Sequence, residues 1–225
     1  TRSDRDWSSD VCSSDLTMAA HAETAVARAL QSLTDQDDAL ARRVKEEDKT
    51  LDGFEIQVDE TSINLLAKAP LASHLRFITI AMKISHDLER VGDEATTIAR
   101  RARELIGKPK PQLAIDIPSM GGLVLQMLRG AIDSFVSHDS AKARSVIPED
   151  KNVDALNKQI YRSLSDYMVE HPEAITPCLH WMFIAKCLER IGDHATNIAE
   201  EVVYLCEALD IRHDPEIKRP KTAES

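Results

Sequence analysis

The sequence predicts an all-α protein built as two tandem three-helix bundles, that is, six helices produced by an internal duplication. Composition is the first indication, because the 225 residues include only 7 Gly and 9 Pro and are rich in Ala, Leu, Glu and Arg, which lose little rotamer freedom in a helix. Apolar residues also recur at three- and four-residue steps, which is the period of an amphipathic helix. One such stripe is Leu88, Val91, Ala95 and Ile98.

An internal repeat is the strongest of these observations. ERVGDEATTIA at 89–99 matches ERIGDHATNIA at 189–199, an offset of 100 residues. Upstream, at an offset of 102, the tripeptide Glu-Asp-Lys occurs at 47–49 and again at 149–151. Because two blocks recur in the same order, we interpret the chain as two copies of one unit.

The repeat sets the domain organisation. Residues 1–17 are rich in Ser and Asp and lack helical periodicity, so we interpret them as a non-native or disordered leader. The segment GKPKPQLAIDIP at 107–118 holds three prolines and a glycine, which stop helix propagation. The predicted first unit is 18–107, the linker 108–118, the second unit 119–210 and a flexible C-terminal tail 211–225.

Each unit is predicted to contain three helices, so that it closes as an antiparallel bundle. Pro70, Pro172 and Pro177 mark turns or first helical turns, where a missing N–H costs little. The predicted helices span 18–34, 36–68 and 71–107 in the first unit and 119–137, 139–170 and 173–210 in the second.

Charge and apolar patterning exclude several classes of protein. A net charge of −10 argues against a nucleic-acid partner, since that binding depends on clustered Lys and Arg. No apolar run reaches the ~18 residues of a membrane span, so we expect no direct membrane insertion and a cytoplasmic location. The cysteines form no C-x-x-C pair, and Cys178, Cys187 and Cys206 are expected to be buried inside helices as small apolar residues.

Carboxylate pairs four residues apart occur at matching positions of both units. Residues four apart share a helix face, so each pair places two anions side by side, and their repulsion is relieved most completely by a bound cation. If the second and third helices pack antiparallel, four carboxylates meet in each unit, and such oxygen ligands suit hard metals. The pairs are Asp48 and Asp52, Glu89 and Asp93, Asp150 and Asp154, and Glu189 and Asp193.

A solvated helix face is the alternative interpretation of these pairs. Acidic residues four apart are common on exposed helices, and Arg90 or Arg190 could supply surface ion pairs that contribute little. Duplication at matching positions favours a site instead. Gly92 and Gly192 add to this, because Gly inside a helix costs about 1 kcal/mol relative to Ala and indicates the close approach of a helix or a ligand.

The histidines give no sign of catalysis. His194 adjoins Asp193, but its counterpart in the first unit is Glu94, so we expect His194 to be exposed or peripheral. His86 and His180 do not fall at the E-x-x-H spacing of di-iron bundles. Neither a phosphate-binding loop nor a Ser, His and Asp arrangement is suggested, so no catalytic residue is assigned and the protein is predicted not to be an enzyme.

Two strings resemble the PhoU family of phosphate-uptake regulators: MKISHDLERVGDEATTIARR at 82–101 and KCLERIGDHATNIAEEVVYL at 186–205. The resemblance extends over about 18–210. It implies a PhoU-like fold of two three-helix bundles, commonly dimeric, with metal clusters held on the bundle surface by acidic motifs of the E/D-x-x-x-D type.

The resemblance also implies a set of metal ligands and the ions that they hold. The cofactors would be divalent or trivalent metal ions, iron or zinc first and magnesium or manganese next. Family members usually have Asn or Asp where this chain has Thr97, which implies a less complete first site. The implied ligands are Asp48, Asp52, Glu89, Asp93, Asp150, Asp154, Glu189 and Asp193, with Asn197 as an extra ligand.

The function implied by the resemblance is negative regulation of phosphate uptake and of phosphate-starvation signalling. The protein would be a cytoplasmic, metal-binding adaptor and homodimer that contacts the ATPase subunit of a phosphate ABC transporter and a phosphate-sensing histidine kinase. Two alternatives stay open. One is a metal-dependent helical-bundle enzyme or a metal-storage protein; the other is a purely structural helical module, which would tolerate loss of all the acidic pairs.

Overall fold

The computed structural model of the chain describes residues 5–67, 72–113 and 115–212. These residues confirm the all-α prediction, since they fold almost entirely into helices and form no strand. The helices are α1 Arg5–Asp35, α2 Asp38–Leu66, α3 Ala72–Leu105, α4 Ile117–Ser137, α5 Ser140–Val146, α6 Asp150–Glu170 and α7 Ile175–Glu207, with 3₁₀ turns at Ile147–Glu149 and Pro172–Ala174.

The helices pack as two bundles that share one central contact. In the first unit α1, α2 and α3 pack on one another, and in the second α4, α5 and α6 pack against α7. α3 also packs along α7, and α1 contacts α4. The apolar stripe that predicts α3 is fully buried, with Leu88, Val91, Ala95 and Ile98 all at 0 % exposure. α3 and α7 are therefore the two central helices of the molecule.

The two ends of the described chain differ from the sequence prediction. α1 begins at Arg5, so the first helix starts before residue 18 and includes residues 5–17, which the sequence analysis assigns to the leader. Each residue added to an existing helix gains a backbone hydrogen bond without a new nucleation step, which favours such an extension. At the other end Ile211 is buried, and Arg212 forms an ion pair with Glu201 at 3.2 Å, so both pack against the second unit. Residues 1–4 and 213–225 lie outside the described residues.

The prediction of one helix over 139–170 is wrong. α5 ends at Val146, a 3₁₀ turn follows, and α6 begins at Asp150. Pro148 in that turn cannot donate a backbone hydrogen bond, and its ring clashes with the preceding turn of an α-helix. The position 102 residues earlier is Glu46, and α2 accordingly runs without a break there.

The turn between the first and second helices has the same structure in both units. Gln36 and His138, which are 102 residues apart, have left-handed backbones with φ of 54° and 51°. The next residue, Asp37 or Asp139, begins the following helix by accepting a hydrogen bond from the backbone N–H three residues ahead, at 3.0 Å in each case. Such caps contribute about 1 kcal/mol each. The duplication is thus visible in backbone geometry as well as in sequence.

Contacts between α3 and α7 follow an approximate two-fold axis. Lys83 on α3 forms an ion pair with Glu201 on α7 at 3.0 Å. Phe183 stands 100 residues after Lys83, and Arg101 stands 100 residues before Glu201. These two equivalents are also in contact, because the Arg101 guanidinium lies 4.3 Å from the centre of the Phe183 ring. A two-fold axis produces such exchanged pairs, in which i contacts j and the equivalent of j contacts the equivalent of i. The two helices therefore run antiparallel.

A second exchanged pair lies further along the same contact. His194 Nδ1 donates to Asp87 Oδ1 at 2.8 Å, and the His194 side chain is only 22 % exposed. The equivalent pair is Cys187 with Glu94, where burial and the neighbouring carboxylate raise the pKa of the Cys187 thiol. The expectation that His194 is exposed or peripheral is therefore wrong, because that prediction could not include the packing of α7 on α3.

The cysteine prediction is confirmed at two of three positions. Cys178 and Cys187 are buried and free, as expected for small apolar residues. Cys206 is also free but exposed, because it falls in the last turn of α7.

Gly92 and Gly192 differ in how closely a neighbouring helix approaches them. A Cβ added at Gly92 would lie 2.4 Å from Leu51 Cδ1 and 3.4 Å from Asp48 Oδ1. α2 and α3 can therefore pack this closely only because Gly92 has no side chain. At Gly192 the nearest atom is Val153 Cγ1 at 3.4 Å, which is ordinary contact. The sequence prediction of a close helix approach thus holds most strongly in the first unit.

Gly92→Ala should therefore lower the stability of the metal-free protein, by about 1–2 kcal/mol, since the cost of overpacking exceeds the gain in helix propensity. Gly192→Ala is the matched control, and we expect it to be neutral or stabilising by up to about 1 kcal/mol. Urea unfolding followed by circular dichroism, with chelator present, measures both. Equal effects of the two substitutions would contradict the close approach at Gly92.

Candidate metal centre

In the first unit the four carboxylates selected from the sequence lie within electrostatic range of neighbours in the set, but among the described residues no three of them bring ligand atoms within 4.8 Å of one another. α2 and α3 run antiparallel, since Arg103 near the end of α3 contacts Asp38 at the start of α2 at 2.5 Å. Burial raises the pKa of Asp48, and the nearby carboxylates of Asp52 and Asp93 raise it further. The pKa of Glu89 is also raised, first by burial and then by the nearby carboxylate of Asp93. We call Asp48, Asp52, Glu89 and Asp93 the first carboxylate cluster.

The second unit repeats this arrangement between α6 and α7. Partial desolvation raises the pKa of Asp193 to about 6, and the carboxylates of Glu189, Asp150 and Asp154 contribute to the increase, whereas Lys186 opposes it. We call Asp150, Asp154, Glu189 and Asp193 the second carboxylate cluster.

The raised pKa of Asp193 means that the fold opposes its ionisation. Its ordinary value is 3.8, so in metal-free protein the cost to stability is absent below about pH 4 and fully present above about pH 6. Near neutral pH the ionised Asp193 carboxylate therefore destabilises the metal-free fold. A bound cation reverses the sign of this contribution, because it lowers the pKa of every carboxylate that it contacts.

Basic side chains already lie beside both clusters, but they are exposed. Arg90 contacts Glu89 at 3.2 Å and Asp93 at 3.1 Å, which confirms that it can supply surface ion pairs. Lys158 contacts Asp154 at 3.1 Å, with 67 % of the lysine side chain exposed. Pairs of this kind contribute little and are displaced easily. Glu89 Oε2 is buried and accepts no hydrogen bond from the described residues, although Arg90 lies near it.

Arg190 and Asn197 are directed across the contact between the units. Arg190 forms an ion pair with Glu94 at 3.0 Å. Asn197 Nδ2 donates to Asp87 Oδ1 at 3.4 Å, so its amide is directed toward α3 rather than toward the second carboxylate cluster.

Thr97 lies in an open cavity of about 430 Å³ beside Asp93. The cavity has a basic side, because Lys45, Arg100 and Arg103 line it together with these two residues. The first unit thus places a basic recess next to its carboxylate cluster.

Two residues that the sequence analysis did not select adjoin the first carboxylate cluster. His86 Nδ1 lies 3.1 Å from Glu55 Oε1, and ligand atoms of Glu55, His86 and Glu89 all lie within 4.8 Å of one another. The E-x-x-H spacing places Glu before His, whereas here His86 precedes Glu89 by three residues. That i, i+3 spacing was the available signal, but Glu55 becomes relevant only once α2 packs on α3.

Comparison with known proteins follows the same division into two units. The PhoU domain matches residues 16–102 and 117–202.

None of the helices in the described part of the chain is long and apolar enough to cross a membrane.

Several curated relatives share the phosphate-transport name. The phosphate-specific transport system accessory protein PhoU homolog of Pseudomonas aeruginosa is 41% identical over 206 residues, which cover 91% of this chain and 85% of that protein. The homolog of Rhizobium meliloti is 40% identical over 202 residues, or 89% and 84% of the two chains. PhoU of Escherichia coli K12 is 36% identical over 199 residues, or 88% and 83%.

Solved structures agree in fold. A crystal structure of PhoU from Pseudomonas aeruginosa superposes with a TM-score of 0.87 at 39% identity and covers 89% of this chain and 97% of that one. The phosphate transport system regulatory protein PhoU from Streptococcus pneumoniae gives a TM-score of 0.84 at 28% identity, with 90% and 96% covered. These names describe accessory and regulatory proteins rather than enzymes, as the sequence analysis predicts.

Proposed function

The chain belongs to the PhoU family, and from this premise we propose that it is an accessory protein of a phosphate transport system that restrains phosphate uptake and phosphate-starvation signalling. The names of its relatives support a role in the regulation of phosphate transport, and the matches extend over more than four-fifths of both chains. In detail, the proposed role is a metal-binding adaptor between a phosphate ABC transporter and a sensor histidine kinase.

The observation that carries the metal part of this proposal is the pair of carboxylate clusters at matching positions. Each cluster gathers oxygen ligands from two packed helices, and oxygen ligands suit hard cations. The raised pKa values of Asp48, Glu89 and Asp193, which come first from burial and then from neighbouring carboxylates, support the proposal. A divalent or trivalent ion would supply a counter-charge and tie the second helix of each unit to the third. Iron and zinc are the first candidates, and manganese and magnesium come next.

A cytoplasmic homodimer is the assembly that we propose for this role. Support for protein contacts comes from a surface on α7, where Ile175, Leu179 and Phe183 lie four residues apart on one face. Their exposed fractions are 42 %, 43 % and 48 %, which is high for large apolar side chains. We assign this face to contact with a second protein, and sedimentation equilibrium of the purified chain measures whether the dimer forms.

Replacing the third-helix carboxylates should remove bound metal without unfolding the protein. Glu89→Gln with Asp93→Asn should empty the first carboxylate cluster, and Glu189→Gln with Asp193→Asn the second, because neutral amides no longer offset the desolvation of a cation. Elemental analysis after metal loading and desalting measures the ions per chain. Each double variant is expected to lose the ions of one unit, and the quadruple variant all of the cluster-bound ions.

The matched control is Glu60→Gln with Asp166→Asn, two exposed carboxylates on α2 and α6 outside the clusters. This control should retain the full metal content, and circular dichroism should show equal helicity in all variants. Unchanged metal content in the quadruple variant would contradict the proposed sites.

The adaptor role predicts direct binding to two partners. We expect the metal-loaded protein to bind both the transporter ATPase subunit and the cytoplasmic part of the kinase, and we expect the quadruple variant to bind at least about tenfold more weakly, a loss of about 1.4 kcal/mol. Biolayer interferometry with purified partners measures both affinities. Metal binding without affinity for either partner would instead favour the metal-storage or enzyme alternative, and unchanged affinity in the variant would favour the structural-module alternative.

A further inference from the structure

The basic recess between α2 and α3 has no role in the proposed metal binding. Lys45 lines it from α2, and Arg100 and Arg103, which stand three residues apart and so share one helix face, line it from α3. Ala41 also lines the recess, and its small, buried side chain takes up little of the space. The volume of about 430 Å³ falls within the range of about 300–1,000 Å³ that is typical of small-molecule sites.

The recess carries positive charge that the surrounding protein only partly neutralises. Arg103 and Arg42 share a single carboxylate, Asp38, at 2.5 Å and 2.6 Å. Lys45 and Arg100 are exposed and form no ion pair with a carboxylate among the described residues. Their charges are therefore available to an anion from solution.

Two carboxylates, Asp93 and Glu94, also line the recess, but each is paired with an arginine that does not. Asp93 Oδ2 accepts a hydrogen bond from Arg90 at 3.1 Å, and Glu94 Oε1 accepts one from Arg190 at 3.0 Å. A carboxylate repels a fully ionised anion, but it accepts a hydrogen bond from an anion that still carries a proton. Inorganic phosphate carries such a proton near neutral pH and sulfate does not, whereas a phosphate monoester loses its last proton with a pKa of about 6. The mixed lining therefore favours inorganic phosphate over both.

The second unit has no basic side chain at the equivalent positions. By the offsets of 102 residues for the second helix and 100 for the third, these positions hold Ile147, Glu200 and Val203. Their exposed fractions are 7 %, 5 % and 0 %, so the equivalent place is occupied by buried side chains. The three basic side chains are thus a feature of the first unit that the duplication does not explain.

We propose that the basic recess binds inorganic phosphate through Lys45, Arg100 and Arg103. Guanidinium and ammonium groups form strong charge-assisted hydrogen bonds to phosphate oxygens. The Thr97 hydroxyl, which also lines the recess, donates a further hydrogen bond, and Asp93 accepts one from the phosphate proton. This inference deepens the proposed function, because it names a ligand through which a regulator of phosphate transport responds to phosphate itself. It does not require a bound metal, since the three basic side chains lie outside the carboxylate clusters.

Isothermal titration calorimetry of the full chain, freed of metal, desalted and held at constant ionic strength, tests the recess with inorganic phosphate. Wild type should bind one phosphate per chain. Lys45→Gln with Arg100→Gln should weaken this binding at least about tenfold, because two charge-assisted hydrogen bonds are lost. Arg103 is kept, since its ion pair with Asp38 joins α2 to α3. Sulfate and glycerol 3-phosphate should each bind wild type at least about tenfold more weakly than phosphate, because neither offers Asp93 a proton.

The matched control is Arg43→Gln with Arg162→Gln, which removes the same charge from exposed positions of α2 and α6 that do not line the recess. This control should bind phosphate as wild type does, and circular dichroism should show equal helicity in all three proteins. Elemental analysis after metal loading should give the same metal content for wild type and the Lys45→Gln, Arg100→Gln variant.

The results separate this inference from the proposed function. Weaker phosphate binding in the recess variant but not in the control supports the site. Equal affinities in all three proteins, equal weakening in the control, or no saturable binding by wild type overturn it. Phosphate binding that appears only after metal loading also overturns it, because the anion then binds the metal. Sulfate or glycerol 3-phosphate bound as tightly as phosphate overturns the assignment to inorganic phosphate. The metal content is measured separately, so failure of the carboxylate clusters leaves the phosphate result readable.

Discussion

Partial burial of neighbouring carboxylates where two helices pack is the constraint from which the proposed metal binding follows. Packing of α2 on α3 is fixed by buried apolar residues and by the space at Gly92, so Asp48 cannot move away from Asp93 without loss of that packing. α6 and α7 also pack on each other, although without the close approach seen at Gly92, and there the pKa of Asp193 is raised to about 6. Apolar burial therefore sustains a charge arrangement that is unfavourable in the absence of a cation.

The central helices connect this constraint to the contact between the units. In a helix, side chains advance by about 100° per residue, so Asp87 and Glu94 on α3 point to the side opposite Glu89 and Asp93. Asp87 contacts His194 on α7, while Glu94 contacts Arg190. One helix thus carries a carboxylate cluster on one face and the contact with the other unit on another. A shift of α3 that follows cation binding would act directly on the second unit.

Much of the fold could be predicted because the duplication is recorded in local sequence. The stripe through Leu88 and Ile98 and the spacing of Glu89 and Asp93 are properties of a single helix, so they can be detected without knowledge of packing. The break at Pro148 could also have been found, since proline inside a helix is a local signal, but similarity to the continuous helix around Glu46 argued for one segment.

The features that sequence analysis missed depend on contacts between helices. His194 is half-buried only because α7 packs on α3, and its partner Asp87 is 107 residues away. His86 gains its significance from Glu55, which lies on a different helix and is 31 residues away. The spacing of residues within one helix does not reveal partners on another helix. The repeat does not reveal the position of His86 either, because the second unit has Lys186 there.

Anomalous X-ray scattering from crystals of the metal-loaded protein, recorded on both sides of the absorption edge of the bound ion, is the most direct test of the central claim that cations relieve the carboxylate repulsion. The account predicts anomalous peaks within about 2.0–2.6 Å of carboxylate oxygens, between α2 and α3 and again between α6 and α7. Anomalous peaks confined to other surfaces, or none at either carboxylate cluster in fully loaded protein, would contradict it.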